Sequence, residues 1–257
     1  MNEHIIYEQP VAENIRNFLK CEYLYEKYAH ALTQEDIWSI RSSITTLIEI
    51  SDFVLRINLK VELLKELEKS KIYINALREN NLIDIMKYDV YHEKITKCLN
   101  KLNDIENNPS KTIVDNDFLM QIKNKLYIPG GDNFFDNPSY LNFLASNKSK
   151  IVDNINKWYH PFKYLFIASE LILSIKRSNT KFEKYTSDVS FFEKRLDNRA
   201  RIDLVRIRLQ KNINVFPDIS VNRQNINVIF KYSLGSKMLS KAVEDNVNFE
   251  ISLPGIK

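Results

Sequence analysis

The side chains able to do covalent or metal chemistry are few and scattered. The four histidines are His4, His30, His92 and His160, and none is paired at the spacing a metal site uses. His92-Glu93 begins like a zinc-protease helix motif, which needs a second histidine at the fifth position; that position is Thr96. Two cysteines, Cys21 and Cys98, make neither a disulfide framework nor a metal cluster, and they point to a reducing compartment. Cys21 follows Lys20, which leaves two outcomes open: a thiol activated by the neighbouring cation, or a buried and inert one. Of four glycines only Gly130 and Gly131 are adjacent, too few for a dinucleotide fingerprint or a phosphate-cradling loop. The acidic pair Glu35-Asp36 suits the positive end of a helix dipole. On these residues the chain reads as a non-enzyme, with no metal and no cofactor.

Cations carry more information. Arg16 and Lys20 are four apart, so they project from one helix face, which Tyr23 and Lys27 continue. That spacing fits an acidic ligand, but taken alone it fits better a solvated face or pairing with Glu13, Glu26 or an acid from another helix. Arg56 falls near a helix C-terminus, where it complements the dipole, pairs with Asp52 or meets a ligand. Arg206 and Arg208 share one face of a strand, with Ala200-Arg201 upstream. They suit a docking surface or a charged solvent face that blocks edge pairing.

The charge is unevenly spread. Residues 1–147 carry 17 Lys and Arg against 22 Asp and Glu, whereas residues 148–257 carry 20 against 11. A basic C-terminal half suits an acidic partner: nucleic acid, a membrane surface or an acidic protein. At 44% hydrophobic and 27% charged residues, the composition is that of a globular protein and argues against disorder. The first residues hold acids where a signal peptide holds bases. The longest apolar stretch, Tyr164 to Ile175, contains Glu170 and is shorter than the roughly 20 residues that span a bilayer. A cytoplasmic protein without membrane insertion is expected.

These residues must be positioned by two kinds of element. His4 to Glu8 reads as a short strand ending at Pro10. Helical periodicity follows from Val11 to about Leu32, with Ile15, Phe18, Leu19 and Glu22 on one stripe. Thr33 with Asp36 resembles a capping box that opens a second helix to about Leu55, with Ile37, Ile40, Ile44, Leu47 and Ile48 as its apolar positions. A third helix runs from Asn58 to about Arg78 and a fourth from Tyr88 to Asn107. Asn107-Asn108-Pro109-Ser110 is a loop. Asp115 or Asn116 caps a helix ending near Leu126. Pro129, Gly130 and Gly131 force a sharp structural turn. Two more helices occupy about 148–159 and 161–177.

After Ser178 the pattern changes to period two. Val205, Ile207 and Leu209, then Ile226, Val228 and Phe230, then Val247, Phe249 and Ile251 alternate with polar residues, as in half-buried antiparallel strands. The expected fold is α+β: a mostly helical domain over residues 10–180 and a smaller antiparallel β domain over 181–257. The pattern does not say whether the strand at 3–9 joins the second.

Five stretches, in order along nearly the whole chain, resemble the ZapD family of cell-division proteins. They are Tyr7-Glu8-Gln9-Pro10 with Ile15-Arg16 and Phe18-Leu19-Lys20-Cys21-Glu22; Asp52, Arg56, Lys60, Glu62 and Leu63-Leu64-Lys65-Glu66-Leu67; Ile128-Pro129-Gly130-Gly131 with Phe135-Asp136-Asn137-Pro138; Leu204-Val205-Arg206-Ile207-Arg208-Leu209 with Phe216-Pro217-Asp218-Ile219-Ser220; and Val247-Asn248-Phe249-Glu250-Ile251. The chain departs from the family at Lys20, where relatives favour Arg, and at Asp132-Asn133, where they often include Cys. It also has Asn225 and Ile229 where they often place arginines. Part of a family-wide basic pocket is therefore missing, or is supplied by Arg223 and Lys231.

The resemblance implies a symmetric homodimer that binds the C-terminal tail of the tubulin-like protein FtsZ and bundles its filaments at the midcell division ring. The site it implies comprises Arg16, Lys20, Arg56, Arg206, Arg208, Arg223 and Lys231. No small-molecule substrate and no cofactor are implied. The alternative is a nucleic-acid-binding protein using the basic half, which wants exposed aromatics among its bases. Phe191-Phe192 and Tyr232 are available, but the strand aromatics fall mainly on the expected core face.

Overall fold

Helices begin where the sequence supplies a side-chain acceptor. In the computed structural model, which describes residues 3–34, 36–106, 108–178, 180–197, 201–232 and 241–256, Asp36 caps α2 (Ile37–Arg56). Its carboxylate accepts from the backbone N–H of Trp38 and Ser39 at 2.8 and 3.1 Å. Thr33, the expected partner in a capping box, is instead the last residue of α1 (Glu13–Thr33), where its hydroxyl donates to the His30 carbonyl. A carboxylate facing two free amides at the positive helix end is the stronger cap. Asp84 likewise caps α4 (Ile85–Asp104), which therefore starts and ends three residues before the expected limits. Asn116 caps α6 (Asp117–Leu126) and Asn147 caps α8 (Lys148–Tyr159). Glu35, Asn107 and Ala200 lie outside the described residues.

Two compact units divide the chain: residues 17–172, and residues 1–16 together with 173–257. The boundaries fall within α1 and within α9 (Lys163–Ser178).

The first of these units is helical. Ile40, Ile44, Leu47 and Ile48 of α2 are buried as their spacing predicts, while Ile37 in the first turn is exposed. α3 (Leu59–Glu79) packs against α4. It ends in a 6→1 turn, in which Leu82 N–H donates to Leu77 O at 2.8 Å and Asn81 takes the left-handed conformation. Asn has the short polar side chain that tolerates that φ. Two short helices, α5 (Lys111–Val114) and α7 (Pro138–Leu144), escaped the periodicity because neither is long enough to show one. Cys21 is fully buried, and burial pushes its thiol up to about 12, so the inert outcome holds and Lys20 does not activate it.

Among its described residues the second unit holds a small antiparallel pair, β4 (Arg201–Ile202) with β9 (Gly255–Ile256), and two larger antiparallel sheets on one core. One has the order β1 (His4–Pro10), β5 (Leu204–Gln210), β8 (Asn248–Ser252), β2 (Glu183–Thr186); the other has β3 (Phe191–Arg195), β7 (Asn225–Tyr232), β6 (Val215–Val221). The N-terminal strand does join a sheet, pairing β5 from His4↔Gln210 to Pro10↔Leu204. Val205, Ile207, Leu209, Phe249 and Ile251 of the first sheet and Ile226, Val228 and Phe230 of the second form one buried cluster. Phe230 and Phe249 meet with ring centroids 4.9 Å apart. Pro217 sits on β6, an edge strand, where a missing N–H costs no ladder bond. Strands β2, β3 and β6 were not read from the sequence: β2 and β3 are short and mostly charged, and in β6 the alternation of Val215, Ile219 and Val221 is interrupted by Pro217, which argues against a strand. The architecture is α+β with a helical N-terminal part, as the residue patterns predict.

Candidate functional site

Opposite the apolar core, β5 turns its arginines to the other face of the four-stranded sheet. Arg206 lies across from Glu8 in the β1–β5 register, and its Nε donates to Glu8 Oε1 at 2.8 Å. Arg177, in the last turn of α9, donates to both oxygens of the same carboxylate at 2.9 and 2.5 Å. Glu8 thus sits between two guanidiniums. A few residues away Lys176 and Asp203 form a buried pair at 2.7 Å. With its side chain only 11% exposed, Arg206 belongs to the scaffold of this face.

Arg208, two residues on, is more open. Its guanidinium lies 4.4 Å from the Phe182 ring centroid and pairs with Glu250 across the β5–β8 register. Arg206 stacks over the same ring at 5.1 Å, so Phe182 spaces two like charges that would otherwise repel. Beside Arg208 lies a surface cleft of about 720 Å³, whose polar lining includes His4, Lys184, Gln210, Asn248 and Glu250. Its charged groups are Lys184, Arg208 and the Glu250 carboxylate. Arg208 is already paired, whereas Lys184 is exposed and has no ion-pair partner among the described residues.

The other expected cations sit elsewhere. Lys231 is on β7 of the second sheet, paired with Asp218 at 2.5 Å. Arg223 lies exposed in the β6–β7 turn, which Asn222 closes by accepting from the Gln224 and Asn225 amides. Arg16, partly buried, pairs with the exposed Glu13 at 3.3 Å, which is the local pairing its spacing allowed. Lys20 is exposed and has no ion-pair partner among the described residues. Arg56, the last residue of α2, is exposed. Asp52 does not hold it, because that carboxylate takes Lys123 and the Tyr127 hydroxyl instead. Arg56 and Lys60 line a smaller cleft of about 350 Å³ at the α2–α3 junction, where Lys60 Nζ donates to the Ile105 carbonyl.

Pro129, Gly130 and Gly131 shape a turn closed by Gly131 N–H to Ile128 O at 2.8 Å, with Gly130 at φ +67°. A Cβ on Gly131 would overlap the Lys125 carbonyl oxygen. Arg41 is buried nearby, donates to Asp132 at 2.5 and 2.7 Å and lies over the Trp38, Phe134 and Tyr140 rings.

The sequence pattern of the ZapD family, described as a cell division protein, matches residues 19–229. The chain belongs to the ZapD family. Among curated relatives, the cell division protein ZapD of Janthinobacterium sp. (strain Marseille) is 28% identical over 249 residues, covering 97% of this chain and 98% of that one. A role in cell division follows from membership of the ZapD family. No helix among the described residues is long and apolar enough to cross a membrane.

Sequence reasoning missed Phe182, Lys184, Arg177 and Glu8 as parts of the ZapD-family sheet face. Phe182 and Lys184 alternate with Glu183 in the two-residue step of a strand, which was the available signal. Glu8 and Arg177 had none, because their roles depend on long-range pairing. Of the aromatics weighed for nucleic acid, Phe192 and Tyr232 pack against the core and Phe191 is 43% exposed.

Proposed function

We propose that the chain binds the acidic C-terminal tail of FtsZ without catalysing a reaction, and as a homodimer ties FtsZ filaments together at the division ring. The observation that carries this reading is the sheet-face cleft, where Lys184 and the Phe182-stacked Arg208 stand over an otherwise polar floor. An extended acidic peptide finds cations there, hydrogen-bonding side chains from Gln210 and Asn248, and a floor rigidified by the Glu8–Arg177–Arg206 network. On the helical unit, exposed Lys20 and Arg56 are further contacts for acidic groups, each tested by itself. Arg16, Arg223 and Lys231 belong to the same proposal as rim cations that raise the encounter rate more than the affinity. One tail site per subunit in a dimer replaces high single-site affinity by avidity.

The test is co-sedimentation with polymerised FtsZ, with and without its C-terminal tail. Pelleting with the full protein and not with the tail-less one supports the reading. Equal pelleting with both, or retention on DNA in preference to FtsZ in the same buffer, overturns it.

A further inference from the structure

The polar face of the four-stranded sheet is arranged in rows that run across its strands. Arg208 of β5 lies opposite Glu250 of β8, and Glu250 lies opposite Lys184 of β2. Two residues along the strands, His4 pairs with Gln210 and Asn248 with Thr186. Both rows line the cleft of about 720 Å³. Neighbouring strands lie about 4.7–4.9 Å apart, so Arg208 and Lys184, two strands apart, have α-carbons about 9.4–9.8 Å from each other. Arg208 is a fixed point: it stacks on Phe182 and gives Nε and Nη2 to Glu250 Oε2. Glu250 Oε1 makes no hydrogen bond among the described residues. Thr186 Oγ1 donates to Asn248 Oδ1 at 2.7 Å, which leaves the Asn248 amide nitrogen as a donor.

We infer that the occupant of this cleft is an acidic segment in the polyproline II conformation, lying across the strands, with carboxylates at positions i and i+3 on Arg208 and Lys184. The inference rests on the reading of this cleft as the tail site, and adds the conformation and spacing that the site selects. Polyproline II repeats every three residues with a rise of about 3.1 Å, so side chains i and i+3 leave one face about 9.3 Å apart. That is the separation of the two cations. An extended strand does not match, because its same-face side chains are about 6.8 Å apart and i and i+3 point to opposite faces. An α-helix brings i and i+7 to one face about 10.5 Å apart, but it spends its N–H groups internally.

The groups between the two cations favour the same conformation. Glu250 stands midway in the row, where it repels a third carboxylate and calls for a donor. Polyproline II makes no internal hydrogen bonds, so its N–H groups between the two acids are left for Glu250 Oε1 and its carbonyls for the Asn248 amide. With three residues per turn, side chains i+1 and i+2 point away from the sheet, and Glu250 meets backbone alone.

The test is an NMR titration of the full chain with end-capped serine–alanine peptides carrying two glutamates at spacings of two, three, four or seven positions. Spacing three is expected to bind about fivefold more tightly than the others, the worth of one further exposed ion pair. A proline directly after the first glutamate should tighten it again, because it fixes φ near the polyproline II value and lowers the ordering cost. N-methylation between the two glutamates should weaken it at least about fivefold, by removing the donors to Glu250. Lys184→Gln, at an exposed side chain, should abolish the preference for spacing three and leave the melting temperature unchanged. Equal or absent binding at all spacings, tightest binding at any spacing but three, an N-methylated peptide that binds as well, or a preference that survives Lys184→Gln would each overturn the inference. The complete FtsZ tail, titrated alongside, separates the two readings. A tail that binds while the spacings are indistinguishable sinks the polyproline II mode alone. A tail that does not bind while the spacing-three peptide does sinks the tail-binding reading alone.

Discussion

Glu8 and Arg206 lie 198 positions apart, yet Arg206 Nε donates to Glu8 Oε1 at 2.8 Å across neighbouring strands. Arg177 shares the same carboxylate, and all three side chains are less than a quarter exposed or close to it. Removing the carboxylate strands two poorly solvated cations, which costs more than the net worth of the pair. Glu8→Gln is expected to destabilise the protein by about 3 kcal/mol in urea denaturation. Adding Arg206→Met should recover part of that loss, because a buried charge then no longer lacks a partner. A Glu8→Gln protein as stable as wild type would show the network to be decorative.

The Pro-Gly-Gly turn separates two kinds of glycine requirement. Gly130 has open space around its α-carbon but sits at φ +67°, so Gly130→Ala should cost about 1 kcal/mol of conformational strain. Gly131 has no such φ, but its Cβ would strike backbone at Lys125 and Ile128. Gly131→Ala is expected to cost at least about 2 kcal/mol, since backbone cannot rotate away as a side chain can. Urea midpoints of the two variants give the order, and the reverse order would refute this account of the turn.

Alkaline pH should destabilise the fold. Burial raises Cys21 from 9.0 to about 12 and also raises Tyr28, Tyr140 and Tyr159 above their ordinary value of 10.0. In each case the unfolded chain releases the proton first. Their contribution is therefore fully present below about pH 9 and declines as pH rises through the folded-state values. Melting temperature should fall steadily from pH 9 upward. At pH 8 a thiol reagent should label neither Cys21 nor Cys98 without denaturant and both with it, since both are buried. Rapid labelling of the native protein would contradict the burial.

Lys20 and Arg56 separate binding from folding. Both are exposed, so reversing either to Glu should change stability by less than about 1 kcal/mol. If they meet the FtsZ tail, each reversal weakens tail-peptide binding and flattens its salt dependence, which acts over a Debye length of about 8 Å near physiological ionic strength. Peptide titration at two salt concentrations, with a thermal melt of the same variant, reads both quantities. Unchanged titration curves would remove these residues from the site.

Much of this fold is legible because its signals are local. Alternation at Val205, Ile207 and Leu209, the isoleucine and leucine stripe of α2 and the Pro-Gly-Gly turn each follow from a few neighbouring residues. The face of β5 was legible too: two residues apart on a strand means one side of a sheet, so Arg206 and Arg208 had to share it. What they meet there was not. Arg206 is held by Glu8 and Arg177, Arg208 by Glu250 and Phe182, and Lys231 by Asp218.

The difference lies in the range of the interactions. Propensity, capping and periodicity act within a turn or a strand, so the sequence by itself determined the α+β class, the order of the longer helices and of the strands that alternate, and which residues of those strands face the core. Strand order is settled by which backbones meet after the chain closes loops of very different lengths, and a one-residue slip would turn every partner to the other face. Only the tertiary structure could therefore decide that β1 lies beside β5, that Glu8 falls opposite Arg206, and that β1 forms one end of its sheet among the described residues.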